Sequence, residues 1–205
     1  VSGQELLGKC ALVTAGPTYE QIDPVRFIGN NSSGKMGVAI ATELKSRGAE
    51  VTFVLGPSLL EVPESVNVIR VKTAAEMFTA CDSVFANMNI AIMSAAVADY
   101  TPVETKANKI KKSGDNLTIE LKKTRDILKH LGNVKKANQL LVGFALETNN
   151  EEEYAKMKLV EKNADMIILN SLNDAGAGFG IDTNKITIFD THGRTQYFDT
   201  KSKEE

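Results

Sequence analysis

The sequence predicts an α/β fold: a Rossmann-like, doubly wound, mainly parallel sheet carrying a flap and a C-terminal antiparallel hairpin. Three observations predict it. Short apolar runs alternate with helix-patterned segments along most of the chain. A glycine- and serine-rich turn, DPVRFIGNNSSGKMG at Asp23 to Gly37, lies between the first apolar run and the first helical pattern. Two stretches, Tyr100 to Lys123 and Lys185 to Phe198, break the rhythm and read as additions to the sheet.

In chain order, strands are expected at Cys10 to Ala15, Val51 to Leu55, Asn67 to Val71, Ile90 to Ser94, Leu140 to Ala145 and Met166 to Leu169. Helices are expected at Ser33 to Arg47, Ala74 to Asn87, Arg125 to Leu131 and Glu151 to Asn163. Tyr100 to Lys123 holds a polar, lysine-rich flap at about 100–116, followed by the alternating LTIEL of Leu117 to Leu121. Lys185 to Phe198 reads as two antiparallel strands around His192-Gly193, within an edge region of about 182–198. Thr200 to Glu205 is a charged tail. In a doubly wound sheet, ligands bind beyond the carboxyl ends of the strands. The segments after Ala15, Ser94 and Phe144 should therefore converge on one crevice.

The totals narrow the function. A chain of 205 residues can bury a full core and reads as a single domain, 1–205, with 42% hydrophobic and 24% charged residues. A formal charge of −2 gives no overall basic field for a nucleic-acid backbone, so none is expected as a partner. The longest apolar runs, such as Ile90 to Val97, fall well short of the ~20 residues that span a bilayer, so no membrane association is expected. The start at Val1, without an initiator methionine or a signal pattern, reads as a domain cut from a longer protein, with the cytoplasm as the default location. Cys10 and Cys81 stand in an expected strand and an expected helix without CxxC or Cys-His spacing and read as inert thiols. His130 and His192, the only histidines, lie in separate polar segments, which leaves zinc sites and Ser-His-Asp chemistry without parts.

The turn at Asp23 to Gly37 is a phosphate cradle. Backbone N–H groups at a helix start, with Ser32, Ser33 and Lys35 beside them, bind anions that the helix dipole also favours. Gly29 to Lys35 fits the GxxxxGK spacing of a P-loop, yet Met36 stands where a magnesium-binding Ser or Thr is needed, and Gly16 to Ile28 separates the loop from its strand. A nicotinamide site is weaker still. No GxGxxG occurs, and Gly56-Pro57 follows Leu55 where an acidic ribose ligand would stand. Taken alone, the cradle also admits glycines that merely turn the chain and a solvated Lys35.

Several motifs together point further. DPVRFIGNNSSGKMG, then SAAVADY at Ser94 to Tyr100, KIKK at Lys109 to Lys112, VGFALETNN at Val142 to Asn150 and KLVEKNADMIILN at Lys158 to Asn170 resemble bacterial phosphopantothenoylcysteine synthetase, from about Lys9 to Asp190. The resemblance implies an acid–amino-acid ligase of coenzyme A biosynthesis. It would join 4′-phosphopantothenate to L-cysteine through an acyl-cytidylate, consuming CTP and releasing pyrophosphate and CMP. It also implies a homodimer, Mg2+ accompanying CTP, and a flavin-dependent decarboxylase domain upstream in many bifunctional relatives.

Residue by residue, the resemblance makes Asn30 a catalytic contact to the acyl-cytidylate and Lys109 the catalytic cation of the first step. Gly16, Ser32, Gly34 and Gly37 would floor the phosphates, Asp99 would contact ligand, and Ala95 and Ala96 would bring backbone to the substrate. Phe144 would border the cytosine. Lys158 and Lys162, four apart on one helix face, would reach the triphosphate or base, with Asp126 and Ile127 at the nucleotide site. Without the resemblance, Gly37 reads equally as helix packing, Phe144 as core, and Lys109, Lys158 and Lys162 as solvated lysines.

One stretch departs. Many relatives carry Asn-Pro-Asp-Ile where this chain has Thr124-Arg125-Asp126-Ile127, which removes a proline from the turn and adds a charge. An ATP-using version of the ligase and a non-catalytic nucleotide-binding module therefore stand as alternatives. The metal ligands are not assigned by sequence, since no carboxylate cluster stands out and Asp126 is a bare candidate. Asp182 to Phe198 offers edge strands that a second copy would cover.

Overall fold

The computed structural model describes residues 3–112, 114–147, 149–171 and 183–203. Ser113 of the expected flap and Asp182 at the start of the expected edge region lie outside them.

The chain runs β1 (Cys10–Ala15), β2 (Tyr19–Gln21), β3 (Phe27–Gly29), α1 (Lys35–Ser46), β4 (Glu50–Leu55), β5 (Asn67–Arg70), α2 (Ala74–Phe85) and β6 (Ile90–Met93). It continues through β7 (Tyr100–Pro102), β8 (Leu121–Lys123), α3 (Ile127–Val134), β9 (Leu140–Glu147), α4 (Glu151–Glu161) and β10 (Met166–Ser171). β11 (Thr183–Asn184), β12 (Ile186–Asp190), β13 (Thr195–Tyr197) and β14 (Lys201–Ser202) complete it. Eight strands form the central sheet in the order β13-β12-β10-β9-β6-β1-β4-β5. From β10 to β5 every pairing is parallel; β12 joins β10 antiparallel, and β13 joins β12 the same way. The six parallel strands thus follow the doubly wound order, which reverses between β1 and β6.

Both faces are covered, which is why the strands read as continuous apolar runs rather than alternating ones. Val13, Phe53 and Leu55 pack with Ala41 of α1. Leu12, Val54, Leu141 and Ile167 pack with Met77 and Phe85 of α2, Leu131 of α3 and Leu159 of α4. Helix starts are set locally. Thr73 and Glu76 form a capping box at α2. Asp126 caps α3 through the Lys129 N–H at 2.9 Å, so that helix begins after Asp126 and not at Arg125. α1 begins at Lys35 and not Ser33, because Gly34 at φ +85° is left-handed and cannot belong to the helix.

One expectation shifts. The LTIEL strand is displaced: pairing with β7 covers only Leu121 to Lys123, and one further bond runs from the Val103 N–H to the Glu120 carbonyl at 3.0 Å. Pro102 sits at a non-hydrogen-bonded position of this ladder, where no N–H is needed, and Leu117 is left exposed. The C-terminal hairpin forms as expected. Asp190 accepts the N–H groups of His192 and Arg194 at 2.9 and 3.0 Å across its turn.

Candidate active site

At the carboxyl ends of β1, β6 and β9, where the strand order reverses, two adjoining cavities of about 760 and 670 Å³ form one crevice. They share Ala95, Val97, Asp99, Phe144 and Lys158. Their size lies within the range of small-molecule sites.

The floor is backbone. Ser32, Gly34 and Gly37 line it; the N-cap Gly34 has no side chain to cap α1, and the Ser33 hydroxyl takes only the Lys35 N–H, at 3.4 Å, so the positive end of the helix faces the crevice. Gly37 lies against the end of β1: a Cβ there would overlap the Ala15 side chain and come within 3.0 Å of the Ser94 hydroxyl. Tight packing and the open floor are therefore one feature, because α1 approaches the sheet only where no side chain intervenes. Gly16 stands behind this floor, accepting the Ala96 N–H at 2.9 Å.

The segment after β6 is held from beneath by buried threonines. Thr14 Oγ1 accepts the Ala95 N–H at 3.2 Å, and Thr18 Oγ1 accepts the Ala98 N–H at 3.0 Å. Ala95, Ala96 and exposed Asp99 consequently face the crevice. Asn30, just after β3, donates its side-chain amide to the Val97 carbonyl at 3.0 Å and spans the crevice mouth. The departure at Thr124-Arg125 does not loosen its turn. The Thr124 hydroxyl donates to the Ala98 carbonyl at 2.7 Å, its N–H donates to the Asp99 carbonyl at 2.9 Å, and the Arg125 guanidinium lies 5.0 Å over the Phe78 ring.

The far wall is side chain. Lys158 donates to the Phe144 carbonyl at 2.8 Å, and Lys162 pairs with Asp126 at 2.9 Å. Lys162 is 20% exposed and so is turned inward, unlike a solvated helix face, whereas its partner Asp126 remains 44% exposed. Burial pulls the Asp126 pKa up, but the Lys129 N–H and the Lys162 and Lys158 cations outweigh it and hold the group below its ordinary range. Ile127 and Phe144 add apolar surface to the same wall.

Two expected residues are not brought to this lining: Gly16, which lies behind the floor, and Lys109, which is exposed on the segment before Ile110. The oxygens of Asp126 serve the α3 cap and Lys162. Among the described residues, no group of three or more His, Cys, Asp or Glu could hold a metal, and neither histidine nor cysteine lines the crevice. Cys81 is buried in the core, where desolvation pushes its thiol up to about 12. His130 pairs with Asp82 between α2 and α3.

The sequence reading missed three things. Asn184 donates to Asn170 Oδ1 at 3.0 Å, and both line the crevice; Asn170 ended a quoted motif without a role. Thr14 is a polar residue in an apolar run, a signal that a buried backbone group needs a partner, and Thr18, just past that strand, is buried for the same reason. Asp23, inside the cradle motif, is fully buried.

The model of the DNA/pantothenate metabolism flavoprotein C-terminal domain family matches residues 6–205. The chain is 51% identical to a cysteine/cysteine sulfinic acid decarboxylase of an unknown prokaryotic organism, covering 100% of this chain and 57% of that protein. It is 48% identical to the coenzyme A biosynthesis bifunctional protein CoaBC of Bacillus subtilis (strain 168), covering 97% of this chain and 49% of that protein. The crystal structure of the C-terminal domain of a CoaBC superposes with a TM-score of 0.84 at 42% identity, covering 98% of this chain and 91% of that one. The chain thus spans about half the length of the curated relatives it matches.

Proposed function

The chain belongs to the DNA/pantothenate metabolism flavoprotein C-terminal domain family, and from that premise we propose that it is the phosphopantothenate–cysteine ligase of coenzyme A biosynthesis, using CTP. One observation carries the reading: the crevice offers backbone donors, asparagines with Asn30 among them, and inward-turned lysines, but no histidine or cysteine. Such a site suits a reaction whose nucleophiles come with the substrates. The phosphopantothenate carboxylate attacks the α-phosphorus of CTP, pyrophosphate departs, and an acyl-cytidylate remains. The cysteine amine then attacks the acyl carbon, and CMP leaves with one oxygen of the former carboxylate.

The floor of Ser32, Gly34 and Gly37 takes phosphate oxygens on fixed N–H dipoles, which need no reorganisation as charge develops. Lys158 and Lys162 supply positive potential on the nucleotide side, with Phe144 and Ile127 beside the base. Asn30 and the backbone at Ala95 and Ala96 orient the acyl group, and Asp99 contacts substrate or ribose. Lys109 stabilises the charged transition state of the first step by approaching from outside the crevice lining. Mg2+ would neutralise the triphosphate, held mainly by phosphate and water oxygens, because the described residues contain no cluster of three or more His, Cys, Asp or Glu to cage it. A homodimer covering the β12–β13 edge, a cytoplasmic location and an upstream decarboxylase half belong to the same reading; nucleic acid and membrane do not. Among the described residues no helix is long and apolar enough to cross a membrane.

The test omits the amine. Protein, CTP, Mg2+ and 4′-phosphopantothenate without cysteine should release pyrophosphate and accumulate acyl-cytidylate, which cysteine then consumes. Equal kcat/KM for ATP would remove the CTP assignment, and absence of pyrophosphate with either nucleotide would leave a binding module.

A further inference from the structure

We propose that Asp23 is a positioning residue that sets Lys109 for the first half-reaction by clamping Ile110, its neighbour, onto the β2–β3 hairpin; the inference rests on the ligase reading above. Both backbone polar groups of Ile110 are gripped. Its N–H donates to Asp23 Oδ2 at 3.1 Å, and its carbonyl accepts from the Arg26 guanidinium at 3.3 Å. Asp23 is fully buried, and its other oxygen takes the N–H groups of Val25 and Arg26 at 2.8 and 2.9 Å. Arg26 also forms an ion pair with Asp23. One carboxylate thus closes the hairpin turn and holds a segment 87 residues further along the chain.

The neighbouring bonds run the same way. The Thr105 hydroxyl donates to the Gln21 carbonyl at 3.0 Å, and the Lys106 N–H donates to the Ile22 carbonyl at 2.9 Å. The expected flap is therefore strapped along the hairpin at three points before Lys111. β3 leads directly into Asn30, so one small hairpin carries the residue of each half-reaction: Asn30 by chain continuity and Lys109 through this clamp. Burial raises the Asp23 pKa, but the N–H groups of Val25, Ile110 and Arg26 and the Arg26 guanidinium outweigh it and hold the group at about 2, so the clamp is charged at any working pH.

The test is Asp23→Asn in the full chain, with the two half-reactions measured separately. Pyrophosphate release without cysteine should fall ~10- to 100-fold, the order expected when a reacting group is misplaced by about an ångström. Consumption of supplied acyl-cytidylate by cysteine should stay within about twofold of wild type, and trypsin should cut at Lys109 and Lys111 roughly tenfold faster as the segment opens. An equal fall in both half-reactions would make Asp23 merely structural, and no fall in either would overturn the proposal. If Asp23→Asn does not fold, hydrogen exchange of the wild-type Ile110 amide decides: protection like that of the β2–β3 amides supports the clamp, and exchange at open-loop rates overturns it. Wild type that releases no pyrophosphate would sink the ligase reading instead, an outcome separate from a wild type and variant that release it equally.

Discussion

At Gly37 one added methyl group would strike Ala15 and crowd Ser94, whereas across the crevice Lys162 stands 20% exposed with Asp126 at 2.9 Å and room on its solvent side. The floor is specified by what is missing, since small residues let α1 and the Ala95-Ala96 segment approach each other and leave the start of α1 facing the crevice. The wall is specified by what is present, as lysines and a carboxylate project from α4 and the start of α3. Floor geometry cannot be altered without moving the sheet, while wall charge can be altered with the fold intact. The two should therefore fail in different observables.

The largest effect is expected at the floor. Gly37→Val should overpack the junction of α1 and β1, costing ~1–3 kcal/mol. It should lower Tm by several degrees and cut pyrophosphate release at least ~100-fold. A variant with unchanged Tm and activity would show that the floor is not close-packed and would erase the contrast.

Next comes the wall. Lys162→Ala should lower kcat/KM for the nucleotide by ~10-fold or more, as loss of a charge-assisted contact does. Its Tm should barely move, because Asp126 is 44% exposed and such a pair contributes no more than ~1 kcal/mol. Lys162→Arg should retain most of the activity. A large Tm loss with normal kinetics in the alanine variant would make Lys162 structural and place the nucleotide elsewhere.

The smallest effect separates the wall and hairpin from the floor by pH. Asp23, at about 2 when folded, lies below its ordinary 3.8, and Asp126 is also lowered. Groups lowered on folding stabilise fully above their ordinary value and lose that contribution as pH falls toward the folded one. Thermal stability should therefore decline between pH 4 and about 2, and Asp126→Asn, which keeps the helix cap, should make that decline shallower. An identical acid limb in the variant would mean that the pair contributes nothing to it.

What was legible follows the same division. The apolar runs of β1, β4, β6, β9 and β10 announced themselves because a parallel sheet buried on both faces demands them. The cradle showed in Gly34 and Gly37 as a glycine-rich turn, although what makes Gly37 necessary is contact with Ala15 and Ser94 elsewhere in the chain. The β2–β3 hairpin did not show, since Tyr19–Gln21 and Phe27–Gly29 are three residues each, without an apolar run. Its reason to exist lies in Asp23 meeting Ile110 far along the chain. Thr14 and Thr18 likewise serve Ala95 and Ala98 across a sheet connection that no local pattern encodes. The LTIEL alternation placed the strand too early: only Leu121 of it belongs to β8, whose pairing with β7 covers Leu121 to Lys123. Lys158 and Lys162 shared a helix face on spacing alone, but that the face turns inward depended on how α4 lies against β9 and β10.

The central claim is that the acid itself attacks the α-phosphorus of the nucleotide in this crevice. The most direct measurement labels both carboxylate oxygens of 4′-phosphopantothenate with heavy oxygen, runs the complete reaction with CTP and cysteine, and weighs the products. The account predicts one heavy oxygen in each CMP, one retained in the amide product, and none in pyrophosphate. Unlabelled CMP, or label in released phosphate, would contradict it.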